Sequence, residues 1–390
     1  MLQTQTIKTI QATLPLVEEH ARTITDVFYT HLFERHPYLK NIFNMANQSS
    51  GQQSRALSDA IVQYARHIDQ LDMLLPVVQR IANKHVSLGV RPRHYDAVGE
   101  CLLAAIADVL VLPDDHDALI AWAKAYQLLA DVFIQTENSL VESNGQKAGG
   151  WEGFREFFIE KIVQETPNVK SFYFAPLDGE PLPDFRGGQY IGVKVRPQDS
   201  DHFQIRQYSL STKEGFRVSV KAEDAGLVSQ YLHQCDAGHP VLLQAPTGVF
   251  TWQSGRKSVF IAGGIGITPL FSMLEEAMQA GADKNDVLFI QCAQDDEHQV
   301  FKNELSELNS NHKIHYKQSF DHVSTGDHEG YLTTTVLADW LNELAFTPEQ
   351  TAIYICGPSN FMSVVNRSLL TLGFEKNHIH YEVFGPTTEL

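Results

Sequence analysis

The residues from Gly263 to Pro269 read Gly-Gly-Ile-Gly-Ile-Thr-Pro and separate an apolar strand pattern from a helix pattern. Glycines allow a backbone to approach a pyrophosphate, and the free N–H groups at a helix N-terminus favour negative charge. Thr268 is a candidate helix cap, and Pro269 fits the first helical position. The loop departs from the GxGxxG pattern, so a plain turn is the alternative to a nucleotide site.

A second candidate segment is Arg206-Gln207-Tyr208-Ser209, which alternates like a strand. Alternation places Arg206 and Tyr208 on one face, where a cation for phosphate would lie beside a ring for stacking. The alternative is an ordinary strand with an exposed arginine. Cys356-Gly357-Pro358 ends a later strand, at the sheet edge where such folds bind ligands. The segment from Tyr381 to Pro386 places an aromatic side chain where it could cover a flat cofactor.

In the N-terminal part the candidate ligand is His85. It follows Val77 and Ile81 at helical spacing, in a helix that Pro76 is suited to begin. A buried helical histidine is more often structural than a ligand, and the chain contains 17 histidines. Both interpretations therefore stay open on the spacing alone.

The elements that position these residues change along the chain. Residues 1–140 contain only Gly51, Gly89 and Gly99 of the 25 glycines, which favours helices. Predicted helices end before Pro37, begin at Gln53, and run from about 117 to 142. The small, polar segment 143–151 has the composition of a linker.

After the linker, alternating segments predict a small antiparallel barrel, with Asp178-Gly179 as a candidate hairpin turn. From Ser258 onward, apolar strands alternate with helices. This alternation predicts a mostly parallel sheet.

Composition limits the classes of protein to consider. The length of 390 residues suggests two or three domains, and 43% hydrophobic residues suffice for their cores. The net charge of −17 disfavours nucleic acid and anionic membranes as partners. The four cysteines lack CxxC spacing, and neither a signal peptide nor a transmembrane segment is predicted. We therefore expect a reduced, cytoplasmic protein without stable membrane insertion, and a monomer.

Five motifs in order, GGQY (187–190), RQYS (206–209), GGIGITP (263–269), CGP (356–358) and VFGP (383–386), resemble the ferredoxin-reductase-type flavoproteins. The resemblance covers about 152–390 and implies an FAD-binding β-barrel followed by a nicotinamide-binding α/β domain. It assigns the following residues to FAD: Tyr190, Arg206, Gln207, Tyr208 and Ser209. It assigns the following residues to the pyrophosphate of the nicotinamide cofactor: Gly264, Ile265, Gly266, Ile267, Thr268 and Pro269. Against the flavin it places Val383, Phe384, Gly385 and Pro386, with Phe384 as the shield.

The choice between NADH and NADPH depends on the strand that follows the glycine loop. It ends in Gln294-Asp295-Asp296. Carboxylates there suit a ribose hydroxyl and repel a 2′-phosphate, which favours NADH.

In the helical half, the spacing of Tyr29, Phe43, Gln53, Leu57 and His85 resembles a globin. The resemblance makes His85 the proximal iron ligand of haem b, Phe43 a clamp at the haem edge, and the other three residues the distal pocket. A haem with one protein ligand leaves a site for a diatomic gas, to which a tyrosine hydroxyl and a glutamine amide can donate.

In flavohaemoglobins, a tyrosine and a glutamate at the positions of Tyr95 and Glu137 form a relay with the proximal histidine. A carboxylate there increases the electron density on the iron, which is peroxidase-like behaviour rather than oxygen carriage. The alternative for Glu137 is a solvated residue at the end of a helix. Lys84 is assigned to tuning the redox potential, although a surface lysine is the preferred interpretation.

Taken together, the two halves resemble a flavohaemoglobin over essentially the whole chain, including the enterobacterial-type start MLxxQTI and end IHYExFGP. The implied domains are a globin (1–138), a linker (139–151), an FAD-binding antiparallel β-barrel (152–255) and an NAD(P)H-binding α/β domain (256–390). The implied activity is nitric oxide dioxygenase, in which NAD(P)H reduces FAD, FAD reduces haem, and NO and O₂ become nitrate.

Two alternatives carry the same parts. One is reduction of hydroperoxides, or of NO without O₂, which a lipid in the haem pocket would favour. The other is a gas-storing or gas-sensing haemoprotein. Three residues depart from the family pattern, namely Gly187 for proline, Val383 for cysteine and Ile267 for glutamine. We expect these departures to affect cofactor affinity more than function.

Overall fold

The computed structural model describes residues 2–45, 51–198, 200–311, 313–322 and 326–385. The chain divides into two compact units. The first contains Met1–Phe154 and Lys194–Arg206, and the second contains Arg155–Val193 and Gln207–Leu390.

The first unit is helical, as predicted. Its helices are α1 (Thr4–Arg35), α2 (Gln52–Arg66), α3 (Leu75–Leu88), α4 (Pro92–Leu110) and α5 (Asp117–Gly145). Helix α1 ends before Pro37, as expected, because the residue before a proline is disfavoured in the helical region. Pro76 is the second residue of α3 rather than the first. Helix α5 extends three residues past the predicted end at Glu142, so residues 139–145 are helical.

Helices α4 and α5 approach closely at a glycine. A Cβ on Gly99 would lie 2.4 Å from the ring of Tyr126, so no side chain fits there without moving the ring. The Tyr126 hydroxyl donates to the backbone oxygen of Tyr95 at 2.6 Å. The packing at Gly99, one turn after Tyr95, and this hydrogen bond together hold α4 against α5.

Antiparallel strands follow the helices along the chain, and most of their residues belong to the second unit. They are β1 (Phe154–Thr166), β2 (Val169–Pro176), β3 (Tyr190–Val195), β4 (Gln204–Ser209), β5 (Phe216–Lys221) and β6 (Pro240–Gln244), in the order β4-β3-β6-β1-β2-β5. A short helix, α6 (Leu227–His233), precedes β6. A bridge between Leu210 and Val218 links the chain just after β4 to β5, so the two edges of the sheet meet as in a barrel.

One turn prediction was wrong. Asp178-Gly179 does form a turn, but no strand follows before β3, and β1 pairs with β2 through the turn at 167–168. The Asp178 carboxylate instead binds the guanidinium of Arg155, with Nε at 2.9 Å. The hairpin turn therefore lies at 167–168, about ten residues before Asp178-Gly179.

The remainder of the second unit is a parallel sheet covered by helices. Its strands are β7 (Lys257–Gly263), β8 (Val287–Ala293), β9 (His315–Phe320), β10 (His328–Glu329), β11 (Thr351–Cys356) and β12 (Ile379–Glu382), in the order β10-β9-β8-β7-β11-β12. Each neighbouring pair is parallel, as predicted. The helices are α7 (Ile267–Gln279), α8 (Lys302–Ser310), α9 (Thr334–Glu343) and α10 (Ser359–Thr371). Central strands such as β11 are buried on both faces, which explains their continuous apolar sequence.

None of the helices in the described ranges has both the length and the apolar character needed to cross a bilayer.

Candidate functional site

The strongest cluster of polar side chains in the first unit surrounds His85, in the last turn of α3. Its Nδ1 lies 2.8 Å from Oε1 of Glu137 on α5 and 2.9 Å from the hydroxyl of Tyr95 on α4. The Tyr95 hydroxyl also donates to Oε1 of Glu137. Glu137 is only 5% exposed and Tyr95 only 9%. The solvated alternative for Glu137 is therefore wrong, because its carboxylate is buried against two donors.

The hydrogen positions in this cluster follow from the chemistry of the groups. Burial, together with the charge of Glu137, raises the pKa of Tyr95, so its hydroxyl stays protonated and donates. In the tautomer in which the Glu137 carboxylate accepts from the ring, Nδ1 of His85 carries the hydrogen. The other ring nitrogen, Nε2, then keeps its lone pair, which is the form of histidine that binds a metal.

Phe133 is part of this cluster, although the sequence placed it only on the same helix face as Glu137. Its ring lies 5.6 Å from the ring of His85 and 6.2 Å from that of Tyr95, between centroids. Phe133 precedes Glu137 by four residues, so one face of α5 supplies both the carboxylate and the apolar wall beside it. The i, i+4 spacing was the signal that could have found this role.

The residues predicted for a distal pocket form an aromatic group around Tyr29. The Tyr29 ring stacks on Phe33 at 5.9 Å and meets Phe43 edge-on at 6.0 Å. Tyr29 is 4% exposed, and burial raises the pKa of its hydroxyl. It is therefore a permanent neutral donor in an apolar setting. An open cavity of about 520 Å³ is lined by Tyr29 and Phe33 together with charged residues such as Arg22, Asp26 and Glu34, and its lining does not include Phe43, Gln53 or Leu57.

Gln53 and Leu57 lie one turn apart on α2, where the sequence placed them. Oε1 of Gln53 is buried, with no hydrogen-bond partner in the described part of the chain. Buried polar atoms are nearly always paired, so this atom marks a place suited to a bound group. Leu57 packs at the margin of the helical core. Lys84 is half-buried beside His85.

In the second unit, the glycine loop connects β7 to α7. A Cβ on Gly266 would lie 2.3 Å from the carbonyl of Cys356, so only glycine allows this contact. The two glycine motifs, 263–269 and 356–358, therefore meet at the carboxyl edge of the sheet. Gly264 has a φ of 52°, and the position of its missing Cβ faces open space. The backbone of the loop is accessible there, as a nucleotide site requires.

Two details of the loop prediction were wrong. Gly266 is the residue that caps α7, and no side chain caps this end. Thr268 lies inside the helix, where its hydroxyl donates to the backbone oxygen of Ile265 at 3.0 Å. Pro269 is the third residue of the helix rather than the first, a position that still lacks an intrahelical acceptor for its N–H.

The residues predicted to contact FAD lie on β3 and β4. Tyr190 is 6% exposed, and its backbone exchanges hydrogen bonds with Thr247 at 2.9 and 3.0 Å. Burial, aided by the charge of Glu382, raises the pKa of Tyr190, so the motifs 187–190 and 383–386 share one neighbourhood.

The four predicted residues 206–209 form the C-terminal part of β4. Gln207 and Tyr208 are half-buried and Ser209 is buried. Arg206 belongs to the first unit, where its guanidinium donates to Oδ1 of Asn44 at 2.8 Å.

Sequence reasoning missed a glutamate that explains the glycine at position 187. The backbone N–H of Gly187 donates to Oε2 of Glu276 on α7, and the guanidinium of Arg186 binds Oε1 at 2.5 Å. A proline has no N–H and could not make the first bond. A Cβ at position 187 would also lie 2.5 Å from the backbone oxygen of Ser272. The departure from the family's proline was the signal that could have identified Glu276.

The acidic turn after β8 is strongly ordered by its own hydrogen bonds. Oδ1 of Asp295 accepts from the backbone N–H groups of Glu297 and His298, both at 3.0 Å, and lies 2.6 Å from Nδ1 of His298. The bond from His298 lowers the pKa of Asp295, so this carboxyl is ionised near neutral pH. Asp296 binds Nζ of Lys302 at 2.5 Å. Strands β7 and β8 are neighbours, so the turn lies beside the glycine loop.

The C-terminal motif follows β12. Val383 packs against the apolar core of the α/β sheet, and Phe384 is 47% exposed. Gly385 has a φ of 137°. Pro386 lies outside the described residues.

Three family models match consecutive parts of the chain. They are the globin family at residues 26–133, the oxidoreductase FAD-binding domain at 157–252 and the oxidoreductase NAD-binding domain at 260–367. The predicted fold class is therefore confirmed in all three parts.

Whole-chain relatives and solved structures agree with these matches. The flavohemoprotein of Halalkalibacterium halodurans is 40% identical over 100% of this chain and 98% of its own length. Flavohemoprotein A of Dictyostelium discoideum is 39% identical over 100% of both. A crystal structure of flavohemoglobin from Malassezia yamatoensis with bound FAD and heme has a TM-score of 0.88 at 28% identity, covering 98% of this chain and 100% of that one. The flavohem-like FAD/NAD binding domain of nitric oxide dioxygenase from Vibrio cholerae has a TM-score of 0.55 at 35% identity, covering 60% of this chain and 99% of that one. This chain therefore belongs to the flavohemoprotein family.

Proposed function

We propose that this chain is a nitric oxide dioxygenase that converts NO and O₂ to nitrate with haem b, FAD and a nicotinamide nucleotide, and so removes NO. The observation that carries the proposal is the buried contact of His85 with Glu137 and Tyr95. The naming of the Vibrio relative as a nitric oxide dioxygenase supports it.

The residues of the first unit fit a haem. His85 offers Nε2 as the iron ligand because its Nδ1 hydrogen is held by Glu137. The buried and unpartnered Oε1 of Gln53 and the buried hydroxyl of Tyr29 would suit a pocket that receives a further group. When bound, haem would supply a redox-active iron with one position for a diatomic gas.

The proximal cluster favours chemistry over simple oxygen carriage. A buried carboxylate facing Nδ1 gives the imidazole partial imidazolate character, which makes it a stronger electron donor. Tyr95 holds the same carboxylate oxygen, so the carboxylate cannot rotate away without losing both bonds. A gas-storing protein has no need of this arrangement, and it has no need of an attached reductase.

The distal residues would orient and retain the gas. The aromatic rings of Phe33 and Phe43 pack against the ring of Tyr29, which is itself buried. A buried, neutral tyrosine hydroxyl would donate a hydrogen bond to a gas bound beside it. Gln53 would add an amide donor, and Leu57 would restrict the motion of the ligand.

The second unit would deliver electrons from the nucleotide to FAD. Tyr190, Gln207, Tyr208 and Ser209 of this unit offer rings and hydroxyls for the flavin. The guanidinium of Arg206 stays the predicted cation for its phosphates. The open backbone at Gly264 and the N-terminus of α7 suit the pyrophosphate of the nucleotide. Phe384 is exposed, as a ring that covers the flavin would be before the cofactor binds.

NADH is the expected nucleotide. Asp295 is kept ionised by His298, and Asp296 and Glu297 follow it in the same turn beside the glycine loop. Carboxylates at this turn disfavour a 2′-phosphate through charge repulsion, although Lys302 partly neutralises Asp296. The predicted domain bounds (1–138, 139–151, 152–255 and 256–390) and the finer resemblance to the enterobacterial-type members also stay predictions.

The decisive experiment measures NADH oxidation by the holoprotein under O₂, with and without NO, together with the products. We expect NO to stimulate turnover, with nitrate formed in proportion to the NADH consumed. His85→Ala serves as the control, in which flavin is retained and the NO-stimulated rate is lost. The proposal is overturned if NO leaves the rate unchanged, or if nitrate is not the product. Hydroperoxide-dependent oxidation of NADH exceeding the NO-dependent rate would favour the peroxidase alternative.

A further inference from the structure

A cluster of three potential metal ligands lies in the first unit, apart from the residues discussed so far. His36 follows the last residue of α1, and Glu100 and Cys101 are adjacent on α4. One ring nitrogen, one carboxylate oxygen and the thiol sulfur all lie within 4.8 Å of one another. Within the described ranges, no other group of three such residues comes this close together.

The ring nitrogen of His36 adds a second observation to this cluster. Its Nε2 is buried and has no hydrogen-bond partner among the described residues. The nearest acidic atom, Oε2 of Glu100, is 3.7 Å away, which is too long for a hydrogen bond. Such a nitrogen is available to a water or an ion. His31 and His378 also carry one, so the nearby Glu100 and Cys101 are what distinguish His36.

The same distances suit a shared metal ion. Two ligands at about 2.0–2.1 Å from a tetrahedral zinc are separated by roughly 3.3 Å, and a sulfur at about 2.3 Å lies slightly farther from each. Small side-chain rotations would bring the His36–Glu100 pair from 3.7 Å to that separation. Both side chains end in rotatable bonds, so the backbone need not move.

Glu100 has one oxygen for each of two tasks. Its Oε1 accepts from Nη1 of Arg35 at 3.1 Å, while Oε2 faces His36. The Arg35 guanidinium therefore orients the carboxylate and partly neutralises it, while Oε2 stays directed at His36. A carboxylate held in this way resembles the hydrogen-bonded carboxylate ligands of known metal sites.

The donor set identifies the class of metal. A thiolate and an imidazole select zinc-like divalent ions over magnesium and calcium, which prefer oxygen ligands. Cys101 is fully buried, so its sulfur is protected from solvent.

We propose that His36, Glu100 and Cys101 bind one Zn²⁺, with water as the fourth ligand. Binding converts the thiol to a thiolate and releases its proton to solvent. The ion would join the end of α1 to α4, five residues beyond Tyr95. This proposal does not depend on the dioxygenase activity, and its test does not use that activity.

The test uses the holoprotein, with haem and FAD bound, after a chelator has removed loosely bound metal ions. Zinc is titrated into it by calorimetry, and the zinc that each chain retains is measured after gel filtration. We expect one Zn²⁺ per chain, and at least a tenfold weaker affinity in His36→Asn, Glu100→Gln and Cys101→Ser. The matched controls are His31→Asn on α1 and Cys235→Ser in the second unit, which should bind zinc as the parent does. Anomalous scattering at the zinc edge should place the ion at these three residues.

The proposal is overturned if the parent retains no zinc, or if the three variants bind it as tightly as the parent and the controls. Cys101 is fully buried, so Cys101→Ser could disturb folding. Circular dichroism and the haem absorbance of each variant will separate misfolding from loss of a ligand. Glu100→Gln provides the decisive comparison, because Glu100 is exposed and its replacement leaves the core intact.

Discussion

Replacing Glu137 with glutamine tests the interpretation of the proximal cluster most directly. Glutamine has nearly the same shape, so the buried position on α5 stays filled. The change removes the negative charge that faces Nδ1 of His85 at 2.8 Å and the Tyr95 hydroxyl. Both hydrogen bonds go to one oxygen, and the neutral amide oxygen can still accept both of them, but more weakly.

The expected magnitude follows from the strength of charged hydrogen bonds. A bond to an ionised acceptor contributes about 1.5–3 kcal/mol, against about 1 kcal/mol for a neutral one. With haem bound at His85, the carboxylate would stabilise the oxidised, more positive iron, so its loss would favour reduction. A difference of about 1 kcal/mol between the two oxidation states corresponds to about 45 mV for one electron. We therefore expect the midpoint potential of the haem to rise by about 40–60 mV.

The assay is a spectroelectrochemical titration of the haem in the purified holoprotein. Glu142→Gln is the matched control, because Glu142 is exposed on the same helix and should leave the potential unchanged. Tyr95→Phe should give a smaller shift than Glu137→Gln, since it keeps the carboxylate facing His85. If Glu137→Gln retains haem with an unchanged potential, the carboxylate does not act on the iron and the reasoning fails.

Four further changes test other parts of the molecule. Tyr29→Phe should speed O₂ dissociation about five- to tenfold in stopped-flow measurements, because one hydrogen bond of about 1 kcal/mol is lost; an unchanged rate argues against a distal role. Gly187→Ala should lower the free energy of unfolding by about 1–3 kcal/mol, since its Cβ would lie 2.5 Å from a backbone oxygen; full stability in urea unfolding would contradict the packing described. Asp296→Arg should improve kcat/KM for NADPH relative to NADH about five- to tenfold through removal of charge repulsion; an unchanged ratio would mean that this turn does not meet the nucleotide. Burial lowers the pKa of His94 from 6.5 to about 4, so the unfolded chain takes up a proton at a higher pH than the folded chain does. The free energy of unfolding should therefore fall by about 2–3 kcal/mol from pH 6.5 to pH 4. His94→Gln should lose this part of the pH dependence, and an unaltered profile of unfolding free energy against pH would refute the assignment.

Much of the architecture was predictable because it follows from local patterns. The scarcity of glycine in the first 140 residues favours helices. The alternation of strand and helix patterns after Ser258 predicts the parallel sheet. The ends of elements were less predictable. Pro269 lies two residues deeper in α7 than expected, because the short turn at 264–266 takes up the chain before the helix begins. Asp178-Gly179 misled because it binds Arg155, a contact that no local pattern reveals.

The candidate site was predictable as a set of residues but not as a geometry. Spacing placed Tyr95 and Glu137 on helices, yet whether their side chains reach His85 depends on how closely α4 and α5 approach. That distance is set at Gly99, where Tyr126 occupies the space that any Cβ would need. The Tyr126 hydroxyl also donates to the backbone oxygen of Tyr95, one turn before Gly99. This bond fixes the backbone position from which the Tyr95 side chain extends. Tyr126 consequently positions Tyr95, which contacts His85. A single sequence contains Gly99, Tyr126 and Tyr95 without indicating that they meet, because their contact is a property of helix packing rather than of any local pattern.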